Sequence, residues 1–169
     1  MSHAAEHEQQ LLASRAERYA RLAEAPHDQI EVVAFRRDGS RYAVSLTDLQ
    51  AIRRLGRGVT RIPGASPVVP AVVYERGTIL SLHDLRALKV VSTTDEMPIW
   101  VLVGEVNGDL FGLLADEVEG VMAVPVHEIL PVPVTTGELA GCFRGLADTD
   151  LLLLDLPAMR QMPRFFRAF

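Results

Sequence analysis

The sequence predicts an all-β chain, and three features carry that reading. Short apolar segments recur with turn residues every ~8–12 positions, the spacing of a barrel or sandwich. Two of the turns, Asp38-Gly39 and Asn107-Gly108, are the dipeptides that close tight hairpins between alternating segments. A pattern of hairpin, proline–glycine loop and two further strands runs up to about residue 90. A loosely similar hairpin set follows from about residue 97, so two small barrels are expected, over about 30–90 and 97–155.

Each element has its own signal. Residues 1–25 contain no Gly or Pro and are rich in Ala, Glu, Gln, Arg and Leu, all good helix formers. Leu12, Ala16, Tyr19, Leu22 and Ala23 share one face at helical spacing, and Pro26 stops the run. This extension, residues 1–26, either packs loosely on the domain or docks a partner or a second copy. His27-Asp28-Gln29 reads as a linker. From Ile30 the period changes to two. Ile30, Val32 and Ala34, then Tyr42, Val44 and Leu46, alternate with outward positions across the Asp38-Gly39 turn. Val44 and Leu46 are expected in the core. Thr47 to Leu55 is either a helical turn or a strand. Ile62 to Pro67 is a loop, because proline fixes φ and glycine frees it.

Ala71 to Leu82 gives two strands broken near Arg76-Gly77, and Val90 to Pro98 is a connector. Ile99 to Val106 and Leu110 to Leu114 form a hairpin on Asn107-Gly108. Val118 to Val126 is a further strand, and the prolines keep Leu130 to Val134 extended. Cys142 to Leu146 and Leu151 to Leu154 form a last hairpin. A short helix follows at Leu156 to Gln161. The basic, aromatic tail Arg164 to Phe169 either folds back over an apolar edge or anchors at a surface.

Composition narrows the function. The chain has 169 residues, 49% hydrophobic and 23% charged, enough for a real core without staples. Its net charge of −5 argues against broad nucleic-acid binding, which needs a basic field. Arg53, Arg54, Arg57 and the tail are the only support for that role. No run reaches the ~18 apolar residues of a membrane span, and no basic segment precedes an apolar one as in a signal peptide. The expected location is the cytosol, without membrane insertion.

Chemistry-bearing motifs are missing. There is no G-x-S-x-G, no P-loop and no G-x-G-x-x-G. The single cysteine, Cys142, sits in an apolar setting and reads as an inert buried thiol. His3 and His7 are four apart near the terminus, and the other histidines are scattered, so no zinc site is expected. Asp109, Asp116, Glu117 and Glu119 lack the alternating spacing of a calcium loop and read as strand ends and turn caps. The expectation is a non-enzyme with no metal and no cofactor.

Three segments, in order, carry a resemblance. The first is Phe35-Arg36-Arg37-Asp38-Gly39-Ser40-Arg41-Tyr42-Ala43-Val44. The second is the loop Ile62-Pro63-Gly64-Ala65-Ser66-Pro67 followed by Glu75 to Arg86. The third is Phe111 to Val121. They resemble the opening hairpin, the proline loop with Asn-Leu-Arg-Gly and Pro-Val-x-Asp-Leu-Arg, and the Gly-Leu-x-Val-Asp-x-Val-x-x-Val strand of the CheW-like domain. The resemblance covers about residues 30–162. It implies two SH3-like barrels around a shared core. It also implies an adaptor that bridges chemoreceptor cytoplasmic tips to the regulatory domain of a CheA-type histidine kinase. Pairing with other CheW-like domains, or with itself, follows from the shared fold.

Residue by residue, the resemblance points to Tyr74, Glu75, Arg76 and Gly77 as partner-binding. Arg76 either meets a partner carboxylate or carbonyl or pins its own turn. Pro63, Gly64, Asp84 and Asp116 read as structural, with Asp84 capping the Leu85–Leu88 turn. The sequence departs from the family at Ala51, Ala71, Tyr74-Glu75 and Ser81, around the presumed receptor face. The alternative reading is therefore a divergent CheW-like module with another partner, or one that self-associates through its N-terminal helix.

Overall fold

Three two-residue turns place the strands. Asp38-Gly39, Arg76-Gly77 and Asn107-Gly108 all have positive φ, at 50° and 75°, 48° and 88°, and 53° and 85°. Two left-handed residues in succession match the twist of the flanking strands. The computed structural model describes residues 28–89, 96–133 and 139–166. The expected N-terminal helix, Pro26, most of the connector from Val90, Val134 and the last three tail residues lie outside these.

The strands are β1 (Gln29–Arg37), β2 (Ser40–Ser45), β3 (Leu49–Arg54), β4 (Val59–Arg61), β5 (Ala71–Glu75) and β6 (Thr78–His83). After the connector come β7 (Trp100–Val106), β8 (Asp109–Ala115), β9 (Glu117–Pro125), β10 (Phe143–Ala147) and β11 (Leu151–Leu154). Two short helices close the chain, α1 (Leu156–Gln161) and α2 (Pro163–Phe166). Leu46–Asp48 is one turn of 3-10 helix before β3, so the Thr47–Leu55 stretch is both of the expected alternatives in succession.

The strands form two sheets, ordered β10-β11-β2-β1-β9 and β3-β7-β8-β6-β5-β4. These two sheets correspond to the two expected barrels of an all-β fold. The expected division near residue 90 does not match the pairing. The first barrel takes β1 and β2 from the first half and β9 to β11 from the second, while β3 to β6 join β7 and β8. The reason is that the strand after each opening hairpin crosses over. β3 leaves β2 to pair with β7, and β9 leaves β8 to pair with β1. The halves are interlocked rather than adjacent.

Pairing also reveals an internal repeat. The β1–β2 ladder matches the β7–β8 ladder at one constant offset, so Arg37 corresponds to Val106 and Arg41 to Leu110. The same offset carries Gln50 onto Glu119, each the extra residue of a bulge. The closing hairpins correspond too, Leu82 to Leu153 and Asp84 to Asp155, because β6 runs parallel to β8 as β11 does to β2.

This arrangement corrects the alternation expected in β1. Val32, Val33, Ala34 and Phe35 are all buried. Val32 and Ala34 face the interior of the first barrel, whereas Val33 and Phe35 face a core between the barrels that includes Val44, Leu102, Phe111 and Leu113. The strand is central, with apolar cover on both sides. Leu46 is half-buried against this core. Leu80, Leu82, Val101 and Leu114 fill the second barrel. α1 and α2 bring Leu156, Met159 and Phe165 onto the central core, so the tail is buried at Phe165. Cys142 is buried there as well, its sulfur 3.0 Å from that of Met162.

Candidate functional site

The strongest electrostatic feature is internal. Arg37 ends β1 with its side chain buried. Its Nε and Nη2 donate to the two oxygens of Asp84 at 2.9 and 2.8 Å, and its Nη1 donates to Asp116 at 2.6 Å. The other Asp116 oxygen accepts the Asp38 amide at 2.7 Å, and the Asp116 amide donates to the Arg36 carbonyl at 2.8 Å. Burial alone would raise the Asp84 carboxyl, but hydrogen bonds from Arg37 and from the amide and side chain of Arg86 hold it below the ordinary carboxylate range. Burial likewise works against the Arg37 charge, and the two carboxylates outweigh it.

This knot ties one barrel to the other. Asp84 follows β6 in the second barrel, Asp116 joins β8 to β9, and Arg37 belongs to the first barrel. Asp84 also accepts the Arg86 amide at 3.0 Å, as a cap for Leu85–Leu88. Pro63 and Gly64 stand at the corner of a turn in which Ala65 donates to the Ile62 carbonyl, with Gly64 at φ 73°. That loop delivers Val68 and Val69 to the central core, and the Val68 carbonyl accepts the Asp84 amide at 2.8 Å. Arg37 had no separate place in the reading of the sequence. The available signal was two aspartates, each directly after an apolar strand, which need a cation if buried.

The barrel mouths carry the surface asymmetry. At the mouth of the first barrel, Arg41 donates from Nε to Glu119 at 2.8 Å. Its Nη1 reaches Asp148 and Asp150 at 3.2 and 3.3 Å. Arg36 meets the same Glu119 at 2.8 Å. These ions plug the opening. At the equivalent place in the second barrel, Leu110 stands for Arg41, Gln50 for Glu119 and Glu105 for Arg36. There the plug is replaced by an open groove of about 320 Å³, lined in part by Ala51, Leu80, Val103 and Leu110.

Of the four expected partner-binding residues, Glu75 and Arg76 line this groove, whereas Tyr74 lies on the neighbouring depression and Gly77 in the turn beside it. Thr78 lines the groove with them, and Glu75 forms an ion pair with Arg53 across from β5 to β3. Arg76 and Gly77 are the exposed turn. Arg76 and Glu105 have no ion pair among the described contacts. Tyr74 pairs across the hairpin with Ile79, and each is 69% exposed. The β5–β6 hairpin projects farther than its counterpart, which turns through Asp148 to Asp150 directly after Ala147. A second, smaller depression, of about 210 Å³, lies on the far side of the Arg53–Glu75 pair, between β3 and β5.

Three of the remaining charged candidates have partners within the chain. Asp109 pairs with Arg160 on α1, and Glu119 belongs to the plug. Arg54 lies over the Trp100 ring at 5.4 Å. Among the described residues, no helix is long and apolar enough to cross a membrane.

Comparison with known proteins agrees with this architecture. The chain is 30% identical over 107 residues to the chemotaxis protein CheW of Bacillus subtilis (strain 168), across 61% of this chain and 66% of that protein, just under two thirds of its length. Its fold is similar to the crystal structure of the scaffolding protein TtCheW from Thermoanaerobacter tengcongensis, with a TM-score of 0.66 at 22% identity over 78% of this chain and 86% of the other. A family model described as the CheW-like domain matches residues 31–163, a stretch that runs from β1 into α2 and takes in both interlocked barrels. The chain belongs to the CheW-like domain family.

Proposed function

We propose that this protein is a non-catalytic adaptor that couples chemoreceptors to a CheA-type histidine kinase. Its working unit is residues 30–162, and residues 1–26 are an extension of it. The observation that carries the proposal is the β5–β6 hairpin. It projects Tyr74, Ile79 and Arg76 into solvent beside an open groove, on a scaffold whose Arg37 and Arg41 are held by internal ion pairs. Exposed apolar and arginine side chains on a rigid hairpin suit protein docking. Membership of a family that includes a chemotaxis protein and a scaffolding protein supports the same role.

In this reading Tyr74, Glu75, Arg76 and Gly77 form part of the contact with a receptor tip or a kinase regulatory domain. Other CheW-like domains, or a second copy, are further candidates because they share the fold. Pro63, Gly64, Asp84 and Asp116 hold the two barrels in register. The chain works in the cytoplasm, recruited to membrane-associated receptor arrays. The test is kinase autophosphorylation with receptor tips, with and without this protein, repeated with Arg76→Glu. Stimulation that the folded variant loses supports the adaptor role. Wild-type protein that binds neither partner and leaves the kinase unchanged overturns it.

A further inference from the structure

The hairpin-end mouths of the two barrels are equivalent by internal repeat, and in the first barrel the chain's own ion pairs span that mouth, while a cavity of about 380 Å³ lined by Ile30, Val32, Ala43, Ser45 and Leu153 lies at its other end. In the first barrel Arg41 enters the mouth and is held by Glu119, Asp148 and Asp150. In the second barrel Leu110 takes the position of Arg41 and Gln50 that of Glu119. Neither can reproduce the plug. Leu110 ends 41% exposed at a position whose counterpart is mostly covered. We infer that the open mouth is completed by a partner's protein segment, which inserts an apolar side chain flanked by one acidic and one basic residue.

The chemistry of that occupant comes from the lining. Ala51, Leu80, Val103 and Leu110 offer an apolar floor, so the inserted group is apolar rather than a second guanidinium. Arg53 and Glu75 neutralise each other across the groove. The two lining charges without an ion pair among the described contacts are Arg76 and Glu105, of opposite sign. A carboxylate on the segment meets Arg76, and a lysine or arginine meets Glu105. Complementary charges at a rim fix register and exclude wrong partners. The inference rests on the adaptor reading for the identity of the partner, but not for the site itself.

The decisive variant transplants the plug of the first barrel into the second, as Gln50→Glu with Leu110→Arg. Both positions are at the surface, and the same pair of residue types is accommodated at the equivalent mouth. A thermal melt establishes that the variant is folded. A second variant, Arg76→Glu with Glu105→Arg, reverses the rim without filling the mouth. Wild type and both variants are titrated with receptor tips and with a kinase regulatory domain. In parallel, a displayed random-peptide library is selected on wild type and counter-selected on the plugged variant. The expected result is at least tenfold weaker partner binding by the folded plugged variant. The library should also yield an apolar residue flanked by an acid and a base, and the charge-reversed variant should prefer the opposite order. Partners that bind wild type and plugged protein equally overturn the inference and leave the adaptor role standing. A library consensus with no binding of either partner does the reverse. Absence of any consensus dependent on Leu110 overturns the inference as well.

Discussion

Asp84 holds Arg37 through both of its carboxylate oxygens, from Nε at 2.9 Å and Nη2 at 2.8 Å. The pair joins residues from different barrels, and both side chains are almost wholly shielded from water. The equivalent position in the repeat is apolar. Val106 replaces Arg37 and belongs to the central core. One seam between the barrels is therefore ionic and the other is greasy. An ionic seam gains little net free energy, but it is costly to break on one side only.

The first prediction rests on that asymmetry. Arg37→Met leaves Asp84 buried without its bidentate partner and should destabilise the fold by about 3–5 kcal/mol. Asp116→Asn should cost less, because that side chain is part-exposed and can recruit water. Urea denaturation measures both. A loss under about 1 kcal/mol for Arg37→Met would show that the knot is not what holds the barrels together.

The second prediction concerns acid. His83 is buried at the end of β6, its Nε2 3.1 Å from the Ser81 hydroxyl and its ring edge-on to Phe111. Burial lowers its pKa from 6.5 to about 4. Below pH 6.5 the unfolded chain binds a proton that the folded chain refuses until about pH 4. Stability therefore falls as pH drops through that window and levels off beneath it. At ~1.4 kcal/mol per unit, the loss is about 3 kcal/mol. Asp84, whose carboxyl is lowered when folded, adds a further loss only as pH falls below its ordinary value of 3.8. His83→Leu places at this site the residue found at its equivalent, Leu154. The variant should have a flat profile between pH 6.5 and 4. An unchanged slope would assign the acid sensitivity to other groups.

Much of this architecture was legible before any coordinates. The Asp38-Gly39 and Asn107-Gly108 turns fix two hairpins by local sterics, so no distant information is needed to find them. Asp84 as a cap is equally local, because it lies two residues before the amide that it accepts. The groups that act at a distance were not legible. Arg37 looks like one more charged turn residue, and its burial depends on partners 47 and 79 residues away. The exchange of β3 and β9 between barrels is similarly hidden, since a strand's pattern does not name its neighbour. Tyr74 to Gly77 are proposed from a motif resemblance alone. The open mouth that Glu75 and Arg76 line, where the equivalent one is plugged, becomes visible only when Gln50 and Glu119 are recognised as the same bulge position.

The third prediction tests how the first barrel closes. Leu130 and Leu146 exchange backbone hydrogen bonds at 2.9 and 2.8 Å, which joins the segment after β9 to β10. Gly145 makes this approach possible. A Cβ there would lie 2.4 Å from Ile129 Cγ2 and 2.7 Å from the Leu130 carbonyl oxygen. Gly145→Ala should therefore cost about 1–3 kcal/mol through overpacking. Gly56→Ala, with open space around it, should stay within about 0.5 kcal/mol of wild type. Equal thermal midpoints for the two variants would mean that the closure relaxes easily.

The last prediction separates the proposed docking surface from the scaffold. Tyr74 and Ile79 face each other across β5 and β6 on the outside of the second barrel, and exposed side chains there contribute little to folding. Their joint replacement, Tyr74→Ser with Ile79→Ser, should change stability by less than about 1 kcal/mol, the scale of a cross-strand pair. If the hairpin meets a partner, the same change removes an aromatic anchor and its neighbour, and binding should weaken by about tenfold or more. Val121 supplies the comparison. It is 59% exposed on β9 of the first barrel, at the position equivalent to Ile52. Val121→Ser should leave binding to receptor tips and to the kinase regulatory domain unchanged. The reverse result, binding lost with Val121 and kept without Tyr74 and Ile79, would move the docking surface to the first barrel. The open mouth of the second barrel would then need another explanation.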